Sequence, residues 1–196
     1  MPDSAESNRR QLRWQVYTLL IVISTGIMLA RVASVTARHQ KTPFLSANDR
    51  SRIATMRALV DHGTYAIDEI IYELDDDGGI RRDEEGVPIR NGVWQTIDMV
   101  RHADRDGVMR RYSSKPTLLP TMLAGLYWGV KHGTNSTVAE EPFYVGRILL
   151  VLINVLPMVV YFVVVAVLIE RWGETDWGRV FAMTFATLGT FLPTFA

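Results

Sequence analysis

Uncharged apolar residues fall into three long blocks, separated by stretches in which polar and apolar positions interleave. The first block, Trp14 to Ala30 (WQVYTLLIVISTGIMLA), is about 17 residues long and at 1.5 Å rise per residue just reaches across a bilayer core. The second, Ile148 to Ile169, has the Tyr161 phenol as its only ionisable group, and its roughly 22 residues make a comfortable span. The third, Val180 to Ala196, is equally uncharged and runs to the end of the sequence. The pattern predicts an α-helical integral membrane protein with three transmembrane helices at 14–34, 146–169 and 179–196, the last cut short. A cleavable signal peptide competes for the first block, because Arg9, Arg10 and Arg13 precede it and Val35-Thr36-Ala37 resembles a cleavage site. The block exceeds the usual h-region of about 7–15 residues and two more follow, which favours an uncleaved anchor. Arg9, Arg10 and Arg13 before the first span, and Arg171 and Arg179 around the 170–178 loop, place both segments in the cytoplasm. The N-terminal tail, 1–13, is then inside, and residues 35–145 form an extracytoplasmic insertion.

That insertion is too long for a connector and carries most of the chain's charge. Its pattern predicts a mixed α+β layer with interfacial helices at about 46–62 and 117–131. In the first helix Ser46 is the N-cap, Asp49 stands three residues on, Gly63 closes the end, and Ile53, Met56, Leu59 and Val60 share a face. Thr64 to Glu73 (TYAIDEIIYE) is rich in β-branched and aromatic residues and predicts a strand ended by Asp75-Asp-Asp-Gly-Gly. A hairpin follows over about 93–113, with strands Val93–His102 and Val108–Tyr112 joined through Asp106-Gly107. The apolar run LLPTMLAGLYWGV is too short to span and too apolar for water, so it predicts an interfacial helix with Tyr127 and Trp128 at headgroup depth.

Composition narrows the chemistry. The 196 residues contain 21 Lys+Arg and 21 Asp+Glu, and no stretch is strongly basic, which removes nucleic acid as a partner. The absence of Cys excludes disulfides, Cys-ligated zinc and thiol catalysis. Asp75-Asp76-Asp77 and Asp104-x-Asp106-Gly107 suit turns rather than a calcium loop: counting back from Gly107 puts His102 at the first ligand position and Ser113 at the twelfth. His39, His62, His102 and His132 lack ligand spacing. No metal or cofactor is expected. Asn135-Ser136-Thr137 is a formal glycosylation acceptor of little weight, and Asn154 with Pro157 marks a packing contact or kink in the second span.

One arrangement points to chemistry. Asp49 lies early in the first interfacial helix beside Arg50 and Arg52, and Lys115-Pro116 heads the second. Cations at that depth favour a lipid phosphate, and a carboxylate there can take a proton from an incoming hydroxyl. The plain alternative makes Asp49 the N3 member of a capping box and Lys115 an interface anchor.

The order of parts resembles the N-terminal portion of the GT-C membrane glycosyltransferases, which include the protein O-mannosyltransferases and the lipid A aminoarabinose transferases. The resemblance rests on Asn48-Asp49-Arg50-Ser51-Arg52, Asp61-His62-Gly63-Thr64-Tyr65, Tyr112-Ser-Ser-Lys115-Pro116-Thr-Leu-Leu-Pro120 and Gly146-Arg147, and covers about 15–196. It implies transfer of a sugar from a polyprenyl-phosphate carrier to an extracytoplasmic acceptor, with inversion at the anomeric carbon. Asp49 would activate the acceptor, Lys115 would contact the carrier phosphate, and Arg52 would be the second cation. Ser114 occupies the place of the family's metal-binding acid and Thr117 that of its second Pro, so no metal is expected there. Because family members carry many more spans, the resemblance makes this chain the N-terminal part of something longer. The competing function is a non-enzymatic membrane protein whose insertion binds a partner or scaffolds a complex. A transporter half is disfavoured by the lack of an internal repeat.

Overall fold

A computed structural model describes residues 4–37 and 40–189. In chain order it contains α1 (Ser4–Ser34), α2 (Ala47–Arg57) continuing into a π-turn (Ala58–His62), α3 (Asp68–Ile71), β1 (Met99–Ala103), β2 (Met109–Ser113) and α4 (Leu118–Thr134). The long α5 (Pro142–Trp172) and α6 (Asp176–Thr184), the latter extended by a π-turn (Phe185–Gly189), complete it. The protein is thus mostly helical with one small antiparallel sheet. It divides into a helical unit, residues 1–34 and 150–196, and a loop unit, residues 35–149.

In the helical unit, Tyr17, Met28 and Val32 of α1 are buried against Val155, Phe162 and Ala166 of α5 and Met183 of α6. This packing uses only one stripe of each helix. The most apolar windows of α1 and α5 are only 22% and 17% buried, whereas the core helix of a soluble protein is mostly covered. Both helices are long and apolar enough to cross a membrane. Helix α1 starts at Ser4, so much of the stretch expected as an N-terminal tail is helical. The third expected span coincides only in part with described residues: α6 and its π-turn reach Gly189, and 190–196 lie outside them. Within α5 a π-turn, Val151–Val155, ends two residues before Pro157, whose missing N–H disturbs the helical ladder at that level.

One end of the helical unit is closed by a buried charge network. The Arg13 guanidinium donates through Nε and Nη2 to both carboxylate oxygens of Glu170, at 2.8 and 3.0 Å, and through Nη1 to Asp176. The Tyr17 hydroxyl donates to Glu170 Oε1 at 2.9 Å. Arg179 donates through Nε and Nη2 to the Gly173 carbonyl, covering the end of α5. Deeper in, Ser24 Oγ donates to the Thr187 carbonyl at 3.0 Å, an interhelical bond of the kind that holds helices where water is absent.

In the loop unit, α2 packs against α4 and β2, burying Ile53, Ala54 and Met56 with Leu123 and Tyr127. β1 and β2 pair in register from Met99↔Ser113 to Ala103↔Met109, and Gly107 at φ 79° turns the hairpin. Arg110 pairs with Asp104 and Asp106 across this turn, while the Asp75 carboxylate accepts from the Gly79 amide; both acidic clusters therefore serve turns. The first hairpin strand begins at Met99 rather than Val93, because the Asn91 side chain accepts from the Val93 and Trp94 amides and curls that stretch into a turn. Asn135, at φ 54°, takes the left-handed position closing α4, a structural reason for an Asn there.

The strand expected over Thr64–Glu73 does not form. Instead Ala66 bridges Tyr112, Ile67 N donates to the Arg111 carbonyl at 2.8 Å, and Asp68–Ile71 make one helical turn. A strand would turn the adjacent Ile70 and Ile71 to opposite faces. A helical turn puts Ile67, Ile70 and Ile71 on one side, and all three are buried.

Candidate functional site

The first turns of α2 are built by a reciprocal cap. Ser46 Oγ accepts from the Asp49 amide at 3.1 Å, and Asp49 Oδ2 accepts from the Ser46 amide at 3.1 Å and from Ser46 Oγ at 2.6 Å. Asp49 is therefore the N3 residue of a capping box, half-buried, with both bonds on the same oxygen. Its Oδ1 carries no hydrogen bond among the described residues.

The base of the hairpin is stitched to this end of α2. Ser51 Oγ donates to the Asp98 carbonyl at 2.6 Å and lies 2.7 Å from Ser113 Oγ, which accepts from the Lys115 amide at 3.2 Å. Thr96 Oγ1 donates to the Ala47 carbonyl at 2.8 Å, and Arg50 Nε to the Gln95 carbonyl at 2.9 Å. The segment carrying Asp49, Arg50 and Arg52 is thus brought beside the segment carrying Lys115, although some sixty residues separate them. Lys115 Nζ sits 3.4 Å from Asp98 Oδ1, with both side chains about a quarter exposed (27% and 25%). Arg52 makes no hydrogen bond or ion pair among the described residues and lies one turn after Asp49 on α2.

Sequence reasoning missed Asp98, Ser51 and Ser113 as the residues that hold Lys115. Their signal was slight: Asp98 is the one acid in the run WQTIDMV, and Thr96, two residues earlier, accepts its amide at 3.1 Å in a local turn.

A second charged cluster lies where α2 meets α4. Lys131 Nζ donates to Asp61 Oδ1 at 2.7 Å, and Arg57 Nε stands 3.6 Å from Asp61 Oδ2. Burial pulls the Arg57 guanidinium below its ordinary range, with Asp61 opposing. The hydrogen bond that Lys131 donates to Asp61 holds its ammonium above the usual lysine value, and burial pushes Tyr127 up; the Tyr127 hydroxyl accepts the Val138 amide. Both Lys131 and Tyr127 keep their protons longer folded than unfolded. Their contribution is complete at neutral pH and drains away as pH rises through the window starting near 10. Asp61→Asn is expected to cost about 2–3 kcal/mol at pH 7, since it strands two cations. It should also flatten the alkaline fall by up to about one proton. Thermal unfolding followed by tryptophan fluorescence from pH 7 to 11 checks both; a variant with the wild-type alkaline slope overturns this assignment.

Among the described residues no three His, Asp or Glu side chains gather as a metal site would require. The chain matches no protein-family model, no curated protein and no solved structure.

Proposed function

We propose that the protein is a membrane-embedded glycosyltransferase module that moves a sugar from a polyprenyl-phosphate carrier to an extracytoplasmic acceptor. The observation that carries the reading is the juxtaposition at the start of α2: a carboxylate with one oxygen outside its cap, beside a segment holding a lysine in a part-exposed pair. In the transfer, Asp49 Oδ1 takes the proton of the acceptor hydroxyl as its oxygen bonds to the anomeric carbon from the face opposite the carrier. The bond from that carbon to the phosphate oxygen breaks, and its electron pair leaves with the carrier phosphate. Such a leaving group needs charge neutralisation more than protonation, which Lys115 and Arg52 supply. An ion pair of the Lys115–Asp98 kind holds about 0–1 kcal/mol, so exchanging Asp98 for a phosphate costs little.

The membrane reading is supported by the apolar outer faces of α1 and α5. In it the apolar run from Val180 is a third span. The Arg13–Glu170–Asp176 network joins the N-terminal end of α1 to the α5–α6 turn, agreeing with the basic flanks that put both in the cytoplasm. Helix α4 presents Leu118, Met122 and Leu126, four residues apart, with Trp128, as an exposed apolar face that fits a helix lying in the bilayer interface.

The test is sugar release. Membranes carrying the protein from its complete reading frame are incubated with radiolabelled polyprenyl-phosphate sugars. Label should leave the carrier, and Lys115→Ala should raise the apparent carrier KM about tenfold or more through loss of a charge-assisted contact. No release from any common donor by a folded, inserted protein would replace the enzyme by a scaffold whose insertion binds a partner.

A further inference from the structure

Two polar side chains stand on α5 at levels where the membrane reading puts hydrocarbon. Asn154, in the π-turn Val151–Val155, and Tyr161 lie about 9 and about 20 Å beyond Ile148 at 1.5 Å per residue, inside a core about 30 Å thick. Neither side chain makes a hydrogen bond or ion pair with any described residue. Among the described residues of the helical unit, the one wholly buried polar side-chain atom without a partner is Thr25 Oγ1. The Asn154 amide therefore reaches the surface of the unit, and Tyr161 is 40% exposed.

Lipid tails neither donate nor accept, so a bare amide and hydroxyl at this depth are costly, and in membrane proteins such groups meet a neighbouring helix. That neighbour is not α1 or α6. Those helices pack on the side of α5 that carries Val155, Phe162 and Ala166. Asn154 and Tyr161 each precede one of these core residues by one position, which turns them about 100° round the axis. With Pro157, Val164 and Leu168, all exposed, they form a stripe whose spacing alternates three and four residues, the repeat of a helix–helix seam.

We propose that this stripe is the interface with a second copy of the chain, a parallel dimer about a two-fold axis along the membrane normal. Copies inserted with one topology carry Asn154 and Tyr161 at equal depths. A carboxamide and a phenol are each donor and acceptor at once, so each meets its own counterpart and satisfies it. An unrelated helix would need two polar groups at the same two levels. A self-paired Asn also fixes register, as a single polar position does in a coiled-coil seam. The inference rests on the membrane reading of α5 and not on the transferase reading.

The chain has no Cys, so single cysteines report on it without background. Val164 and Val163 are matched in size, depth and exposure, at 49% and 46%, but only Val164 is on the stripe. In membranes carrying the full chain, copper phenanthroline should trap Val164→Cys and Leu168→Cys as dimers several-fold more than Val163→Cys. Asn154→Leu, which leaves an apolar helix, should raise the dimer dissociation constant about tenfold, read by resonance energy transfer over a lipid-dilution series. Asn154→Gln, which keeps donor and acceptor, should raise it less. A water-soluble maleimide applied to both sides of the membrane separates two kinds of failure. Labelling of Val164→Cys as fast as Ile97→Cys, at a 79% exposed position of the loop unit, removes the membrane reading and the dimer with it. An unlabelled Val164→Cys that cross-links no better than Val163→Cys, or an Asn154→Leu dimer as tight as the wild type, overturns the dimer and leaves the membrane reading standing.

Discussion

Asp49→Asn is expected to lower sugar release by roughly 10²–10⁴-fold, the range a positioned general base supplies, while leaving the fold nearly untouched. Two opposite demands on one side chain make this substitution informative. As a cap, Asp49 needs only an oxygen that accepts from Ser46, and the amide oxygen of Asn can do that. As a base it needs a carboxylate, which Asn lacks. The expected stability change is therefore about 0.5 kcal/mol or less, against about 1 kcal/mol for Asp49→Ala, which removes the side-chain half of the capping box and leaves only the bond from the residue-49 amide to Ser46 Oγ. Activity assays and thermal unfolding on the same two variants separate the roles. If Asp49→Asn releases sugar at the wild-type rate, Asp49 is a capping residue and nothing more.

The same residue shows how far the sequence carries. Ser46-x-x-Asp49 followed by a helical apolar pattern is a local signature, and the bonds that realise it span three residues. Asp106-Gly107 is equally local, because the turn needs a backbone conformation that Gly adopts at no steric cost. The stretch Thr64–Glu73 was misread for the opposite reason. Its β-branched and aromatic residues favour a strand in isolation, but a partner 43 residues away decides the outcome: the Arg111 amide donates to Asp68 Oδ2 at 2.7 Å, and three isoleucines are needed on one side.

The surroundings of the candidate site were hidden in the same way. Lys115 was recognisable from the Lys-Pro that precedes an apolar helix, yet its partner Asp98 belongs to a hairpin whose base is joined to α2 through Ser51, Ser113 and Thr96 and through Arg50 to the Gln95 carbonyl. Small hydroxyl residues carry no pattern that announces a partner some fifty or sixty residues off. Arg147 was visible only as part of a Gly-Arg pair at the start of a helix. That its buried Nε–H has no acceptor among the described residues is a property of the packed structure, which no local pattern announces.

Glu170→Ala is expected to be the most damaging single change to the helical unit, costing about 3–5 kcal/mol, because it leaves the Arg13 charge buried without its bidentate partner. Arg13 and Glu170 are each only 9% exposed at the side chain, and Tyr17 also loses the acceptor of its hydroxyl. Asp176 would not rescue Arg13, since it meets only Nη1 and is itself 49% exposed. The penalty belongs to the broken pair rather than to the worth of the intact one. Replacing both partners with apolar residues, Arg13→Met with Glu170→Leu, should therefore recover much of the loss, and the double-mutant cycle should show a coupling of opposite sign to the single costs. Because the pair is shielded from solvent, raising the salt concentration should move the melting point of the wild type little. Thermal unfolding in detergent, followed by far-ultraviolet circular dichroism, measures Glu170→Ala beside the three corners of the cycle, Arg13→Met, Glu170→Leu and the double variant. Additive losses in the double variant would mean that Arg13 and Glu170 act separately, and that the apolar stripe of Tyr17, Met28, Phe162 and Met183 alone holds α1 against α5 and α6.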